Sequence, residues 1–432
     1  MDRLRIKGGN KLKGKIYISG AKNAALPLIC ASLLTDEAVT LTNMPLLSDI
    51  KSMNALLEQL GTKIESHDEI VDGNACKSYT YHTPKFESLV APYDYVRKMR
   101  ASYYVLGPLL ARQGYVELSL PGGCAIGARP MDIHLSALEQ MGANIEIKNG
   151  YVIAKVDGRL KGAHLVFKIA SVGATCNVLM AAVLAEGETI IENAAREPEI
   201  GDLAKMLNSM GAKISGIDTS VLKVEGVERL HGTTHKIIAD RIEAGSYAVA
   251  AAITRGCIEL INAQAETLQT PIKLLRQTGV NVEEREHSIV VDAEGCELVG
   301  QDLMTDYYPG FPTDLQAQFL TLMLTARGAS MVTETIFENR FMHVPELLRM
   351  GANINVHGHA SAIVRGVDKL YGAPVMATDL RASFALVLAG LVAEGETIVN
   401  RIYHLDRGYE KLEEKLRSVG ADIVRESDKE EE

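Results

Sequence analysis

The sequence predicts an α/β fold built from six similar units, most simply two domains of three, and two repeated signals point to it. In the first signal, a helix-like run ends in a glycine turn and a short β-like run follows. It recurs at Leu60–Ile64, Met141–Ile145, Met210–Ile214, Thr278–Val282, Met350–Ile354 and Val419–Ile423. The glycines Gly61, Gly142, Gly211, Gly279, Gly351 and Gly420 stand 81, 69, 68, 72 and 69 residues apart. In the second, a small-residue helical run turns into a strand at Ala185–Ile190, Thr254–Ile258, Ala326–Ser330 and Ala393–Ile398, with weaker copies at Thr35–Val39 and Ala111–Tyr115. Glycine after a last helical turn suits the left-handed conformation that a Cβ resists. The alternating Thr-x-Ile pattern after it suits a half-buried strand. A unit of roughly 70 residues buries too little surface to be secure alone. Six of them, in a chain of 432 residues, would share cores.

Composition narrows the function. Apolar residues are 47 % and charged residues 23 %, a soluble globular mixture that excludes disordered and collagen-like classes. A formal net charge of −10 argues against a general nucleic-acid binder, which carries a basic excess. Any anion bound here must meet a local cluster of cations. The apolar stretch Ala382–Ala393 falls short of the ~20 residues that span a bilayer. The start Met1-Asp2-Arg3-Leu4 begins no secretory segment, so the cytoplasm is expected. Six cysteines at 30, 76, 124, 176, 257 and 296 form no CxxC pair, which predicts neither a zinc knuckle nor a disulfide framework. Five read as buried small hydrophobes, with Cys124 set apart.

In chain order, the first chemical segment is Ile16–Pro27. An alternating strand meets Gly20, and a helix begins near Lys22 or Asn23. Free N–H groups at a helix start beside a lysine suit an anion, although a capped helix with a solvated lysine accounts for the same letters. The P-loop spacing is absent. Tyr95–Ser102, with Arg97, Lys98 and Arg100, reads as a cationic helix turn or a solvated charge run. The strand-like Tyr115–Leu120 leads into Pro121–Pro130 and then a helix over Met131–Met141. Three glycines and two prolines in those ten residues describe a loop tip. A thiol there, Cys124, is expected to be exposed, where Arg129 could lower its pKa, although a surface loop with an incidental cysteine accounts for the same letters.

His231, His235, His357 and His359 lie in turn-like stretches without a third ligand, so no protein-bound metal is predicted. In Tyr308–Gln318, Thr313 or Asp314 is expected to cap a helix, and a carboxylate fixed there could also act as a base. Glu338–His343, Asp379-Leu380-Arg381 and Asp406–Glu410 each set an arginine among polar partners, suited to forked contacts with carboxylate or phosphate. Structural ion pairs account for these equally well. Glu430–Glu432 reads as a frayed acidic end.

Taken together, Ser19–Pro27, the Cys124 loop, Ser171–Thr175, Glu192–Glu199, Phe311–Asp314, Glu338–His343 and Asp406–Glu410 resemble the UDP-N-acetylglucosamine 1-carboxyvinyltransferase family of enolpyruvyl transferases. The resemblance runs in order over almost the whole chain. It implies an inside-out α/β barrel of two domains, each of three βαβαββ units, with a cleft between them. Residues 22–238 would form the domain with the Cys124 loop, and 1–21 with 239–432 the second.

The implied reaction moves the enolpyruvyl group of phosphoenolpyruvate to the 3′-hydroxyl of UDP-N-acetylglucosamine and releases phosphate, the first committed step of peptidoglycan synthesis. Cys124 would donate the proton and Asp314 would be the base. Lys22, Arg129 and Arg407 would hold phosphoenolpyruvate, with Asn23 bridging to the sugar. Arg100, Arg129, Pro130, Met131, Asp132, Ile133, Ser171, Val172, Gly173, Asp314 and Ile336 match nucleotide-sugar positions, with Arg340 and Arg381 close by. Fosfomycin would alkylate Cys124. No cofactor, membrane or nucleic-acid partner is implied, and a monomer is expected. Tyr104 stands where the family often has Trp, Ile169 where it often has Lys with Lys168 one place earlier, and His67–Glu87 is longer than in relatives. Three other readings remain: a 5-enolpyruvylshikimate-3-phosphate synthase, whose glycine-lysine-serine start is not matched, a silent nucleotide-sugar sensor, and an RNA-end-processing enzyme.

Overall fold

A computed structural model describes residues 2–71, 74–97, 99–120 and 131–427. The described chain divides into two compact units, residues 2–19 with 239–427, and residues 20–120 with 131–238. Each unit holds three four-stranded sheets of one topology. In one, His164–Val166 runs parallel to Glu188–Glu192, which is antiparallel to Val221–Glu225, which is in turn antiparallel to Lys213–Ser215. The other five repeat this order of one parallel and two antiparallel pairings.

Each unit is closed by strands taken from its sequence ends. In the second unit, Thr233–Lys236 returns to lie parallel to Val39–Met44. In the first, Lys13–Tyr17 lies parallel to Cys257–Ile261. Asp2–Lys7 sits between Glu396–Asn400 and Asp422–Ser427, antiparallel to both.

The six turn glycines behave as their sequence setting demands. Gly61, Gly142, Gly211, Gly279, Gly351 and Gly420 all have φ between +90° and +105°. Thr254–Ile258 departs from the second repeated signal. Arg255 takes the left-handed place at φ 54°, and Gly256 serves close approach, since a Cβ there would lie 2.0 Å from the Leu12 carbonyl oxygen.

Helices buried all round fill each unit, the position expected of runs that are apolar on every face. All of Arg241–Ile253 and Gln316–Met323 is buried, as is Arg381–Leu391 within Leu380–Val392, and these three helices pack on one another. In the second unit Lys22–Ala31 is buried except for Asn23, and Val172–Ala182 except for Val172. Leu106–Gln113 packs against Val172–Ala182, where a Cβ on Gly107 would meet the Asn177 carbonyl oxygen at 2.3 Å. The apolar stretch Ala382–Ala393 is part of this interior, and no helix among the described residues is long and apolar enough to cross a membrane.

Three expectations need correction. Cys30 and Cys176 are buried, but Cys76, Cys257 and Cys296 are only half-buried, because strand alternation and a turn leave one side of each towards solvent. His235 lies in the strand Thr233–Lys236 and His357 ends the strand Asn353–His357, so neither is in a turn. Thr313 and Asp314 do not cap the helix that follows them; they form a 3₁₀ turn, Thr313–Leu315, whose side chains are engaged elsewhere. The long His67–Glu87 stretch supplies most of a hairpin, Lys63–Val71 with Asn74–His82, whose nine paired positions outrun the five or fewer of the corresponding hairpins.

Candidate active site

The first unit gathers an aspartate and two buried arginines. Pro312 ends an extended segment, and the Thr313–Leu315 turn leads into Gln316–Met323. The Asp314 carboxylate accepts from Arg340 Nη2 at 2.8 Å and lies 3.4 Å from Arg381 Nε. Its side chain is 25 % exposed against 6 % and 3 % for the two arginines, so the carboxylate is the open member of the group. Arg381 is the second residue of Leu380–Val392, whose start Asp379 caps by accepting from the Arg381 and Ala382 N–H groups at 2.8 and 3.0 Å. Burial opposes charge on Arg381, but Tyr409, Asp314 and Asp240 outweigh it and raise the guanidinium pKa.

Two guanidiniums flank the one open carboxylate of the group. Among the described residues, Arg340 Nε and both Arg381 Nη atoms are buried with no hydrogen-bond partner. Unsatisfied donors of this kind are costly in a low-dielectric site, and an incoming anion relieves that cost. His343 lies nearby, both ring nitrogens without a hydrogen-bond partner among the described residues. Burial, aided by the Arg340 charge and opposed by Asp379, lowers its pKa to about 4, so it is neutral at pH 7.

Glu334 holds the turn, a role the sequence did not signal. Its carboxylate accepts from Thr305 Oγ1, Thr313 Oγ1, Ile336 N and Phe337 N at 2.8–3.2 Å. One buried group thereby fixes Asp314's neighbour and the Ile336 main chain. Arg407 is half-buried at the end of the 3₁₀ turn Ile402–Arg407. Its neighbour Asp406 is gripped by both Arg425 Nη atoms at 2.6 and 3.1 Å, a forked pairing that fixes orientation.

The second unit assembles a different set. Lys22 opens Lys22–Ala31, where the first turn carries no acidic residue. Its Nζ lies 3.6 Å from Asp49 Oδ2, with both side chains buried, and Asn23 is the half-buried residue beside it. Arg100 opens the 3₁₀ turn Arg100–Val105. His134, in the helix Asp132–Gln140, packs edge-on against Tyr103 at 5.0 Å between ring centres. Burial and then the Arg100 charge lower the His134 pKa to about 4.

Asn177 joins these pieces. It donates to the Tyr103 carbonyl at 3.1 Å, accepts from Gly107 N at 3.0 Å, and its Nδ2 meets His134 Nδ1 at 3.0 Å. Ser171 caps Val172–Ala182 by accepting from Ala174 N at 3.3 Å, and a Cβ on Gly173 would press on the Tyr103 hydroxyl at 2.5 Å. Tyr103, His134 and Asn177 therefore bring Arg100, the Met131–Ile133 segment and Ser171–Gly173 together. Met131 is buried, Ile133 half-buried and Asp132 exposed. Lys168 and Ile169 are both exposed on the segment before Ser171. Tyr104 is buried. Cys124, Arg129 and Pro130 lie outside the described residues, as does Lys98. Among the described residues no cluster of three or more His, Cys, Asp or Glu could hold a metal ion.

Comparison with known proteins places these features in a family. The model of the EPSP synthase (3-phosphoshikimate 1-carboxyvinyltransferase) family matches residues 6–416. A UDP-N-acetylglucosamine 1-carboxyvinyltransferase of Paramagnetospirillum magneticum is 61 % identical over 98 % of both chains. One from Granulibacter bethesdensis is 60 % identical over 98 % of this chain and 99 % of its own. Among solved structures, the enolpyruvyl transferase NikO from Streptomyces tendae superimposes with a TM-score of 0.87 at 23 % identity, over 98 % of each chain. An EPSP synthase from Acinetobacter baumannii gives 0.76 at 20 %, over 99 % of this chain and 100 % of its own. Those two share the fold. The fold and the full-length identity together make this chain a member of the EPSP synthase family of enolpyruvyl transferases, within its UDP-N-acetylglucosamine 1-carboxyvinyltransferase branch.

Proposed function

We propose that the chain transfers the enolpyruvyl group of phosphoenolpyruvate to the 3′-hydroxyl of UDP-N-acetylglucosamine and releases phosphate, committing the sugar to peptidoglycan synthesis. The observation that supports it best is the Asp314 carboxylate between two buried arginines, three of whose guanidinium nitrogens lack partners among the described residues. A base beside unsatisfied cationic donors suits deprotonating a hydroxyl next to a multiply charged reactant.

Asp314 takes the 3′-hydroxyl proton as that oxygen adds to C2 of phosphoenolpyruvate, and Cys124 gives a proton to the methylene carbon. A tetrahedral, phosphate-bearing adduct results. Loss of a proton from the new methyl group and departure of phosphate restore the double bond. Lys22, Arg129 and Arg407 hold the phosphate and carboxylate, and Asn23 bridges to the sugar. Arg100, Arg129, Pro130, Met131, Asp132, Ile133, Ser171, Val172, Gly173, Ile336, Arg340 and Arg381 contact the nucleotide sugar. Neither metal nor cofactor enters the reaction. The enzyme works as a monomer in the bacterial cytoplasm, and fosfomycin alkylates the Cys124 thiol.

Phosphate release with phosphoenolpyruvate and each candidate acceptor tests the reading. Release with UDP-N-acetylglucosamine, abolished after fosfomycin and in Cys124→Ser, is expected, because a hydroxyl is a far weaker acid than a thiol. Release only with shikimate 3-phosphate would assign the other branch of the family.

A further inference from the structure

Behind Asp314 lies a buried polar chain that the reaction steps above leave unused. Ser246, Gln318 and Tyr409 come from three separate segments and are at most 2 % exposed. Ser246 Oγ donates its one hydrogen to the Ile242 carbonyl at 2.7 Å. The Tyr409 hydroxyl, 2.9 Å from Ser246 Oγ, must therefore donate to it. Tyr409 Oη is left as an acceptor, and Gln318 Nε2 reaches it at 3.1 Å. The same amide nitrogen stands 3.1 Å from Ser246 Oγ and donates to the Asp314 main-chain carbonyl at 3.0 Å. The amide cannot be turned round, since a carbonyl oxygen would then face that main-chain oxygen. Its own Oε1 is consequently buried without a partner among the described residues. An apolar residue would avoid that loss, so what the amide supplies is the direction of its N–H groups.

Tyr409 carries a second contact. Its ring lies 5.4 Å under the Arg381 guanidinium, is braced by Phe384 at 4.5 Å between ring centres, and Arg381 turns its Nε to the Asp314 carboxylate. Both ends of Asp314 are thus referred to one side chain, the main chain through Gln318 and the carboxylate through Arg381.

We infer that Tyr409 is a positioning residue for enolpyruvyl transfer, its hydroxyl and Gln318 fixing the main chain of Asp314 while its ring fixes Arg381. The inference rests on the function proposed above, with Asp314 as base. A frame of this kind acts on the step in which the proton moves, where small displacements are costly. The ring, through Arg381, also bears on the sugar, so only the arm through the hydroxyl and Gln318 is expected to act on that step alone.

Tyr409→Phe keeps the ring beneath Arg381 and removes the hydroxyl, and with it the Gln318 and Ser246 contacts and the hydroxyl's share of the attraction to Arg381. In steady-state assays of the full-length protein with UDP-N-acetylglucosamine and phosphoenolpyruvate, kcat is expected to fall about tenfold while KM for the sugar stays within twofold. Gln318→Leu should fall by a similar factor, and the double variant by no more than the worse single one, since both break one chain. If Tyr409→Phe does not fold, Ser246→Ala removes the acceptor of the same hydroxyl and carries the same expectation. A kcat within twofold of wild type, multiplicative losses in the double variant, or a loss expressed in KM alone would overturn the inference. Wild-type inactivity with this substrate pair would instead overturn the proposed function, so the two failures are distinguishable.

Discussion

Asp314 shows what a local sequence window can and cannot reveal. The letters Phe311–Asp314 single out a carboxylate at a turn, and local chemistry makes it a helix cap. The carboxylate is instead taken by Arg340 and Arg381, 26 and 67 residues further on, and no local pattern encodes such pairings. The Ser246–Tyr409 bond spans 163 residues and was equally illegible, whereas Lys22 at a helix start was plain from the glycine before it. The two buried histidines give a pH prediction. His134 and His343 fall from the ordinary 6.5 to about 4, chiefly through burial. Between those values the unfolded chain binds more protons than the folded one, so stability is full above the ordinary value and declines as pH falls towards 4. Urea midpoints measured from pH 7.5 to 4 should fall less steeply in His343→Leu than in wild type, and equal slopes would contradict this origin.

At the scale of the element, the repeat was legible because it rests on backbone conformation. All six glycines that closed a helix in the sequence adopt positive φ. Gly142 isolates the effect, having φ +95° and nothing within 4 Å of an added Cβ. Gly142→Ala should therefore cost about 1 kcal/mol, read as a shifted urea midpoint with an unchanged slope and unchanged kcat. The helix ends are secured by arginines that no pattern announced. Arg159 Nε and Nη2 donate to the Leu184, Ala185 and Val227 carbonyls at 2.6–3.0 Å. Arg112 gathers the Leu33, Thr35 and Thr83 carbonyls at 2.8–3.0 Å. A lysine cannot reproduce the planar fork. Arg159→Lys should lower stability by about 1–3 kcal/mol without changing KM, which thermal melts and steady-state kinetics would check together.

For the molecule as a whole, the two units have separate hydrophobic cores, one formed by residues from 4–18 and 239–423 and the other by residues from 21–237. Six similar α/β units were legible in the period, but the single topology of their six sheets was not. Closure of each unit by strands from its sequence ends was not, because pairing partners leave no mark on a repeat. That closure makes the units unequal. Residues 20–238 hold all twelve strands of their three sheets and should fold cooperatively when expressed alone. Residues 239–432 lack Asp2–Lys7, an inner strand bonded on both edges, and Lys13–Tyr17, so they should not. Circular dichroism and urea titration of the two fragments would decide it, and cooperative folding of 239–432 would contradict the topology.

On the function proposed above, Asp314, held by two arginines, removes the acceptor proton. Rapid-quench single turnover of Asp314→Asn with phosphoenolpyruvate and UDP-N-acetylglucosamine tests it most directly. Phosphate release should slow by ~10²–10⁴-fold while the sugar still binds within a few-fold of wild type; an unchanged single-turnover rate would contradict the account.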